Sequence, residues 1–434
     1  MVSAPGQPTL SRIRPEYAVG VASARVIDSL GGVREGTTHF LSKSSMTAQV
    51  LLVGAYERDN FGDLLFYELT REYFDGHTVL AGSVIGADMT RLIGIRVHPH
   101  NDLLATRAFD LVWVVGGEIG GVDTRGALAM SLSDEDGSVF DGAGMRGKEL
   151  IARFLSGAGA DAPAYLPVLS RFPANADTPL VLNSVGLGNL RPAITAAGAG
   201  TVADPAIPVI RGAAEVVVRD SASLEVAGSI GTPARLVPDM VHAISLRHPE
   251  LALPSSAGAT PFFVFQCNAH LILEYGAEAI AQALASVAAV TGWRPAFFLA
   301  GTARHHDRAD QYAEITATLK RISPNLVPMT MKSRRPVALA SFIARSQLWV
   351  GSSLHGRIIS GSFGLPRVSL TNAKVETYAA TWDSVFPVGV GIENLGAAVS
   401  EAIAIASRPA AVQASADLAR LADRSTCALV EEFL

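Results

Sequence analysis

The stretch VLLVGAYERDNFGD, residues 50–63, decides the fold. Val50 to Val53 are four consecutive apolar residues and read as a strand buried on both faces. Gly54 to Gly62 read as a turn-rich loop, and Asp63 to Phe74 as a helix with Leu64, Leu65, Tyr67 and Leu69 partly on one face. A buried strand that runs through a glycine loop into a helix is the opening unit of a parallel α/β sheet.

Outward from this unit the pattern repeats. His77–Leu80, Leu111–Val115, Leu180–Ser184, Glu215–Val218 and Arg235–Val237 read as further strands. Ser245 to Ala259, with Pro249, Pro254 and a Ser-Ser-Ala-Gly run, has the composition of an interdomain linker. A second series follows: strands at Phe262–Gln266, Ala296–Leu299, Leu326–Met329, Leu348–Val350 and Arg367–Leu370. Between them lie a helix over Ala277–Val290, ended by Gly292, and one capped by Asp307 with Tyr312, Ile315, Leu319 and Ile322 on one face. A last helix carries Leu418, Leu421 and Leu429. The expectation is an α/β protein of two Rossmann-like domains with parallel sheets, residues 46–248 and 260–408, then a C-terminal helix, 409–434. A ligand cleft is expected between the domains, at the carboxyl ends of the strands. Residues 1–45 lack periodicity, and the sequence predicts for them a weakly ordered extension, the folded part starting near Met46.

Composition narrows the function classes. The 434 residues suit two domains, and 17 % charged against 49 % hydrophobic residues excludes disorder for most of the chain. A net charge of −5 provides no basic excess for a nucleic-acid partner. Two cysteines, Cys267 and Cys427, are too few for a disulfide framework or a cysteine metal site, and no metal is expected. No apolar run has the length of a membrane span, and a cytoplasmic location is expected. Lys332-Ser333-Arg334-Arg335 reads as a surface patch, with peripheral contact to an anionic lipid or glycan as the open alternative. Arg304-His305-His306-Asp307 reads as a solvated loop.

Four segments follow strands directly and carry groups able to do chemistry. In Asn60-Phe61-Gly62-Asp63, Asp63 either caps the helix or hydrogen-bonds a substrate hydroxyl. In the loop Gly116–Gly121, Glu118 stands at the carboxyl end of a strand, where functional residues collect; the alternative is a flexible turn. In Val218-Arg219-Asp220-Ser221, Arg219 is a candidate oxyanion clamp, or the partner of Asp220 or Asp239 in an ion pair. Pro238-Asp239 reads as structural punctuation. In GSSLHGR, residues 351–357, His355 sits near a helix start, where the dipole disfavours an imidazolium until an anion binds. The motifs GxxxxGK[ST], HExxH and GxSxG are absent.

The order of these motifs, with Gly364-Leu365-Pro366 and Lys374 behind them, resembles the polysaccharide pyruvyl transferase family over about Val50 to Ala380. The resemblance implies a GT-B-like fold and transfer of a pyruvyl group from phosphoenolpyruvate to two hydroxyls of a saccharide acceptor, free or lipid-linked, giving a cyclic ketal. Phosphoenolpyruvate is then a substrate, and no cofactor is implied. By resemblance His355 is the general acid or phosphate-binding residue, and Arg219 and Lys374 contact the donor's anionic groups. Asp63 and Glu118 are left for the acceptor or base role. The chain departs from the family at Ser353, where many members have Arg, and at Glu118, where the glycine loop has its third Gly. Arg357, one helical turn on, is the candidate replacement cation, with Ser352 and Ser353 completing the donor-binding set. Two other readings stay open: a nucleotide-sugar glycosyltransferase of GT-B type, and a catalytically silent glycan-binding relative.

Overall fold

The computed structural model describes residues 47–190, 204–253 and 260–434. The extension expected over residues 1–45 lies outside them. Eight strands make the first sheet: β1 Gln49–Val53, β2 Thr78–Ser83, β3 Ala87–Asp88, β4 Arg96–Pro99, β5 Leu111–Val115, β6 Leu180–Val185, β7 Glu215–Val218 and β8 Arg235–Leu236, in the order β3-β4-β2-β1-β5-β6-β7-β8. Five make the second: β9 Phe262–Gln266, β10 Arg294–Phe297, β11 Met329–Thr330, β12 Trp349–Gly351 and β13 Arg367–Ser369, in the order β11-β10-β9-β12-β13. Every pairing is parallel except β3 with β4. The direction of winding reverses between β1 and β5 in one sheet and between β9 and β12 in the other. Both reversals open a crevice at the carboxyl ends of the strands.

The two halves share apolar packing. The helix Phe61–Glu72 presents Phe61, Leu64 and Leu65 to a cluster that runs from Val50 and Trp113 to Phe298, Leu339, Ile343 and Trp349. The last helix, Pro409–Phe433, returns to the first sheet, where Asp423 accepts hydrogen bonds from Tyr73 Oη at 2.8 Å and Arg247 Nε at 2.9 Å. Leu429 is buried there, whereas Leu421 faces solvent.

Several local expectations change. The helix after β1 starts at Phe61 with Asn60 as its cap, accepting from the Gly62 N–H, so Asp63 does not cap it. Asp307 is buried between Gln266 Nε2 and the Ala300 N–H, and its helix starts at Ala309 after Arg308. The third strand of the second sheet is Met329–Thr330; Pro328 before it has no N–H to give a ladder. The expected linker is folded as far as Leu253, with a short helix at Ile244–Arg247 and a buried Leu251; residues 254–259 lie outside the described residues. Strands β3 and β4 have no expectation, because Arg96–Pro99 holds one strongly apolar residue.

Arg357 is the largest departure. It is not at a donor site but buried under the second sheet, where Nη1 donates to Ser369 Oγ and the Pro387 carbonyl, and Nη2 to the Asp383 and Phe386 carbonyls. Its Nε lies 2.9 Å from the Asp383 carboxylate, which Arg367 also grips through Nε at 2.7 Å and Nη2 at 2.5 Å. Burial pulls the Arg357 pKa down to about 10. Removing one member of such a buried set strands the others without partners, at a cost of about 3–5 kcal/mol. Arg357→Ala is therefore expected to lower the chemical-denaturation midpoint by that order, and an unchanged midpoint would contradict the assignment.

Candidate active site

The loop after β1 crosses to the second half. The Phe61 N–H donates to the Ala300 carbonyl at 2.8 Å, and the Asp59 carbonyl accepts from the Thr302 and Ala303 N–H groups. Arg334 holds the Asp59 carboxylate through Nε at 3.0 Å and Nη2 at 2.8 Å. The basic segment around Arg334 is thus an internal clamp as well as surface. Arg304 likewise leaves solvent: Nη1 donates to the Ala129 carbonyl and Nη2 to Asp141. These contacts place the carboxyl ends of both sheets around a cavity of about 220 Å³. Arg58, Asp63, Glu118 and Tyr165 line it from the first half, and His306 and Lys374 from the second. His306, read as solvated, is thus half-buried on the cavity wall, and burial, together with Arg58, lowers its pKa.

Behind the cavity lies a charged hub. Arg219 follows β7 and has no exposed surface. Its Nη2 donates to Glu118 Oε2 at 3.0 Å, while Nη1 lies 3.7 Å from Asp239 Oδ2 and Nε 3.8 Å from Asp220 Oδ2. The expected direct contact of Arg219 with a donor is corrected: Glu118 stands between its guanidinium and the cavity, and the ion-pair alternative holds. Gly186 gives the pair its room, since a Cβ there would come within 2.3 Å of Glu118 Oε2. Glu118 Oε1 accepts from the Asn189 N–H, and the side chain keeps 20 % exposure toward the cavity. Asp239, read as punctuation, is a full member of the site. Burial pushes its pKa up to about 6 despite Arg219.

His355 enters from the helix Leu354–Ser362 and is seated between Phe66 and Phe61, with ring centroids at 4.9 and 6.2 Å. Its Nε2 is 3.8 Å from Asp239 Oδ2. Burial, then Lys374 and Arg219, holds its pKa well below the ordinary histidine value, so the ring is neutral at pH 7. Nε2 of His355, Oδ2 of Asp239 and Nη1 of Arg219 are all buried without hydrogen-bond partners among the described residues. Lys374 follows Asn372, which caps the helix Ala373–Trp382. Its side chain is ringed by protein yet open to the solvent in the cavity, and desolvation and then Arg219 lower its pKa. That helix is tied to the hub, with Trp382 Nε1 donating to the Arg219 carbonyl at 2.7 Å and Tyr378 Oη accepting from the Asp239 N–H at 3.0 Å.

Of the expected residues, His355, Asp63, Glu118 and Lys374 come together with Arg219 behind them. Ser352 and Ser353 serve the backbone instead. The Ser352 N–H donates to Gln266 Oε1 and its Oγ accepts from the Asn268 N–H, while Ser353 caps the His355 helix by accepting from the Gly356 N–H. Arg58 and Tyr165 had no signal that marked them, while Asp239 was read as punctuation or an ion-pair partner of Arg219 and His306 as part of a solvated loop. Among the described residues no three His, Cys, Asp or Glu side chains are grouped to hold a metal ion, and no single helix is long and apolar enough to cross a membrane.

Two doubly wound parallel sheets with a site at their facing carboxyl ends define a GT-B-like protein. A solved structure that agrees is that of a Listeria monocytogenes protein assigned as a UDP-N-acetylglucosamine 2-epimerase, with TM-score 0.52 and 12 % identity over 89 % of this chain and 97 % of that one. The UDP-N-acetylglucosamine 2-epimerase of Neisseria meningitidis, solved with UDP-N-acetylglucosamine bound, gives TM-score 0.48 and 10 % identity over 89 % of this chain and 100 % of that one. No curated protein matches the chain. Residues 60–374 match the family Polysaccharide pyruvyl transferase, and the chain belongs to that family.

The seat of His355 depends on Gly62, where a Cβ would lie 1.9 Å from Nδ1. Alanine in a helix is ordinarily favoured over glycine by up to about 1 kcal/mol. Here Gly62→Ala is expected to cost about 1–3 kcal/mol as overpacking. Gly228→Ala, on a helix with open space at the Cβ, serves as the unhindered control and is expected to match or slightly exceed wild-type stability. Equal stability of the two variants in chemical denaturation would contradict the close approach.

Proposed function

We propose that the protein transfers a pyruvyl group from phosphoenolpyruvate to two hydroxyls of a saccharide, forming a ketal and releasing phosphate. The observation that carries this reading is that the family match begins at Asn60 and ends at Lys374, and both residues line one cavity whose wall residue Phe66 packs on His355. Phosphoenolpyruvate brings a carboxylate and a phosphate, which call for cationic donors in a confined site. Lys374 supplies one at the cavity wall. Arg219 acts one step back, by holding Glu118 and by keeping His355 neutral.

The chemistry needs a proton delivered to the donor's methylene carbon, which becomes a methyl group and leaves an oxocarbenium-like centre at the neighbouring carbon. One hydroxyl attacks this centre and gives up its proton, the carbon–oxygen bond to phosphate breaks, and a second hydroxyl closes the ketal as its proton departs. His355 is assigned as the acid. An arriving dianion reverses the balance that holds the ring neutral and draws a proton onto it. Asp63 and Glu118, both on the cavity wall, are assigned as the carboxylates that take the hydroxyl protons.

The test is incubation with phosphoenolpyruvate and candidate saccharides, read by mass spectrometry for pyruvyl addition, with nucleotide sugars run in parallel. Wild type is expected to add the pyruvyl group, and His355→Gln to lose about 100-fold or more of the rate, the lower range of general-acid contributions. Turnover of a nucleotide sugar without phosphoenolpyruvate, or full activity in His355→Gln, would overturn the reading.

A further inference from the structure

Arg58 lies on the cavity wall, two residues before the family match begins. Its position is fixed by a buried network. Nη1 donates to Glu57 Oε1 at 2.8 Å, to Tyr165 Oη at 2.6 Å and to Ser131 Oγ at 3.3 Å. Glu57 is in turn held by Ser131 Oγ, Tyr165 Oη and the hydroxyl of Ser83. A long side chain that ordinarily loses freedom on binding is therefore already ordered.

What this network leaves over is one particular edge of the guanidinium. Elsewhere in the protein the Nε–Nη2 edge is the one that grips carboxylates in pairs: Arg334 on Asp59, Arg367 on Asp383 and Arg308 on Asp310. Among the described residues, Arg58 Nε is buried with no hydrogen-bond partner, and Nη2 has only Asp63 at a long 3.4 Å. The side chain as a whole is 9 % exposed. An arginine clamped through one nitrogen, its two-donor edge unfilled beside a cavity, matches the fork geometry that recognises carboxylate and phosphate. Lys374 on the same cavity adds a second positive charge, set against Asp63 and Glu118.

We propose that Arg58 forms an oxyanion subsite in which Nε and Nη2 bind a carboxylate or phosphate group of the substrate, displacing the weak contact to Asp63. The assignment rests on the donor reading above for the identity of the anion, and it adds a binding residue that the family match does not include. Displacement of Asp63 also leaves that carboxylate free for a hydroxyl of the acceptor.

The experiment is calorimetric titration of the full chain with phosphoenolpyruvate, inorganic phosphate and pyruvate, for wild type, Arg58→Gln and Arg58→Lys, with the melting point of each unliganded variant. Arg58→Gln is expected to weaken phosphoenolpyruvate binding at least tenfold. Arg58→Lys keeps a charge near Glu57 but lacks the two-donor edge, and is expected to remain at least severalfold weaker than wild type. It decides the matter if Arg58→Gln fails to fold. The phosphate and pyruvate arms show which group of the donor sits on the fork. Wild-type affinity in either folded variant overturns the subsite. Wild type that ignores phosphoenolpyruvate but binds phosphate or pyruvate through Arg58 overturns the donor reading and upholds the subsite. Wild type that binds none of the three overturns both.

Discussion

A full positive charge with no exposed surface, Arg219, is the constraint on which the site depends. An unpaired charge at that depth is prohibitively costly, so carboxylates must converge on it. They come from separate places in the chain: Glu118 from the loop after β5, Asp220 from the end of β7, Asp239 from the segment after β8. Meeting at one guanidinium fixes three loops at the carboxyl edge of the first sheet. The same residues then recruit the second half, since the Arg219 carbonyl accepts from Trp382 and the Asp239 N–H donates to Tyr378 on the Lys374 helix. The hub is thus a fastening between the halves as much as a charge store, and it explains how Lys374 comes to face Asp63 across a cavity.

The hub also sets the state of the catalytic candidate. His355 sits with aromatic rings on one side and cations near it on the other, and both disfavour its protonated form. Asp239, whose Oδ2 lies 3.8 Å from Nε2, is shared with Arg219, whose Nη1 lies 3.7 Å from the same oxygen. The unliganded site therefore holds a neutral imidazole beside cationic groups, an arrangement that gains most when a polyanion enters. On the donor reading proposed above, the substrate's own charge is the switch that would arm the acid and tie proton delivery to donor binding.

Much of the fold was legible because buried parallel strands leave continuous apolar runs, as at Val50–Val53 and Leu111–Val115, and glycine-rich turns punctuate them. The strand Arg96–Pro99, second from the edge of the first sheet, was not, for lack of such a run. Among site residues, His355 was legible from its place after a strand, and Arg357 was misread though helix geometry carried the signal. Two positions along a helix rotate a side chain by about 200°, so a His355 turned toward Phe66 and Asp239 sends Arg357 to the opposite side, under the second sheet. Arg58 had no local pattern at all, and Asp239 was read only as punctuation or as one alternative ion-pair partner of Arg219. Their roles come from partners such as Ser131, Tyr165 and Arg219, remote in sequence, and only the closed fold makes those pairs visible.

The central claim, that the site holds His355 neutral until the donor's charge arrives, is tested most directly by NMR titration of ring-labelled histidine with and without phosphoenolpyruvate. The account predicts a His355 signal that stays neutral through pH 6 to 8 in the free protein and shows the protonated form when phosphoenolpyruvate is bound. An imidazolium at pH 7 in the free protein, or a ring that remains neutral in the complex, would contradict it.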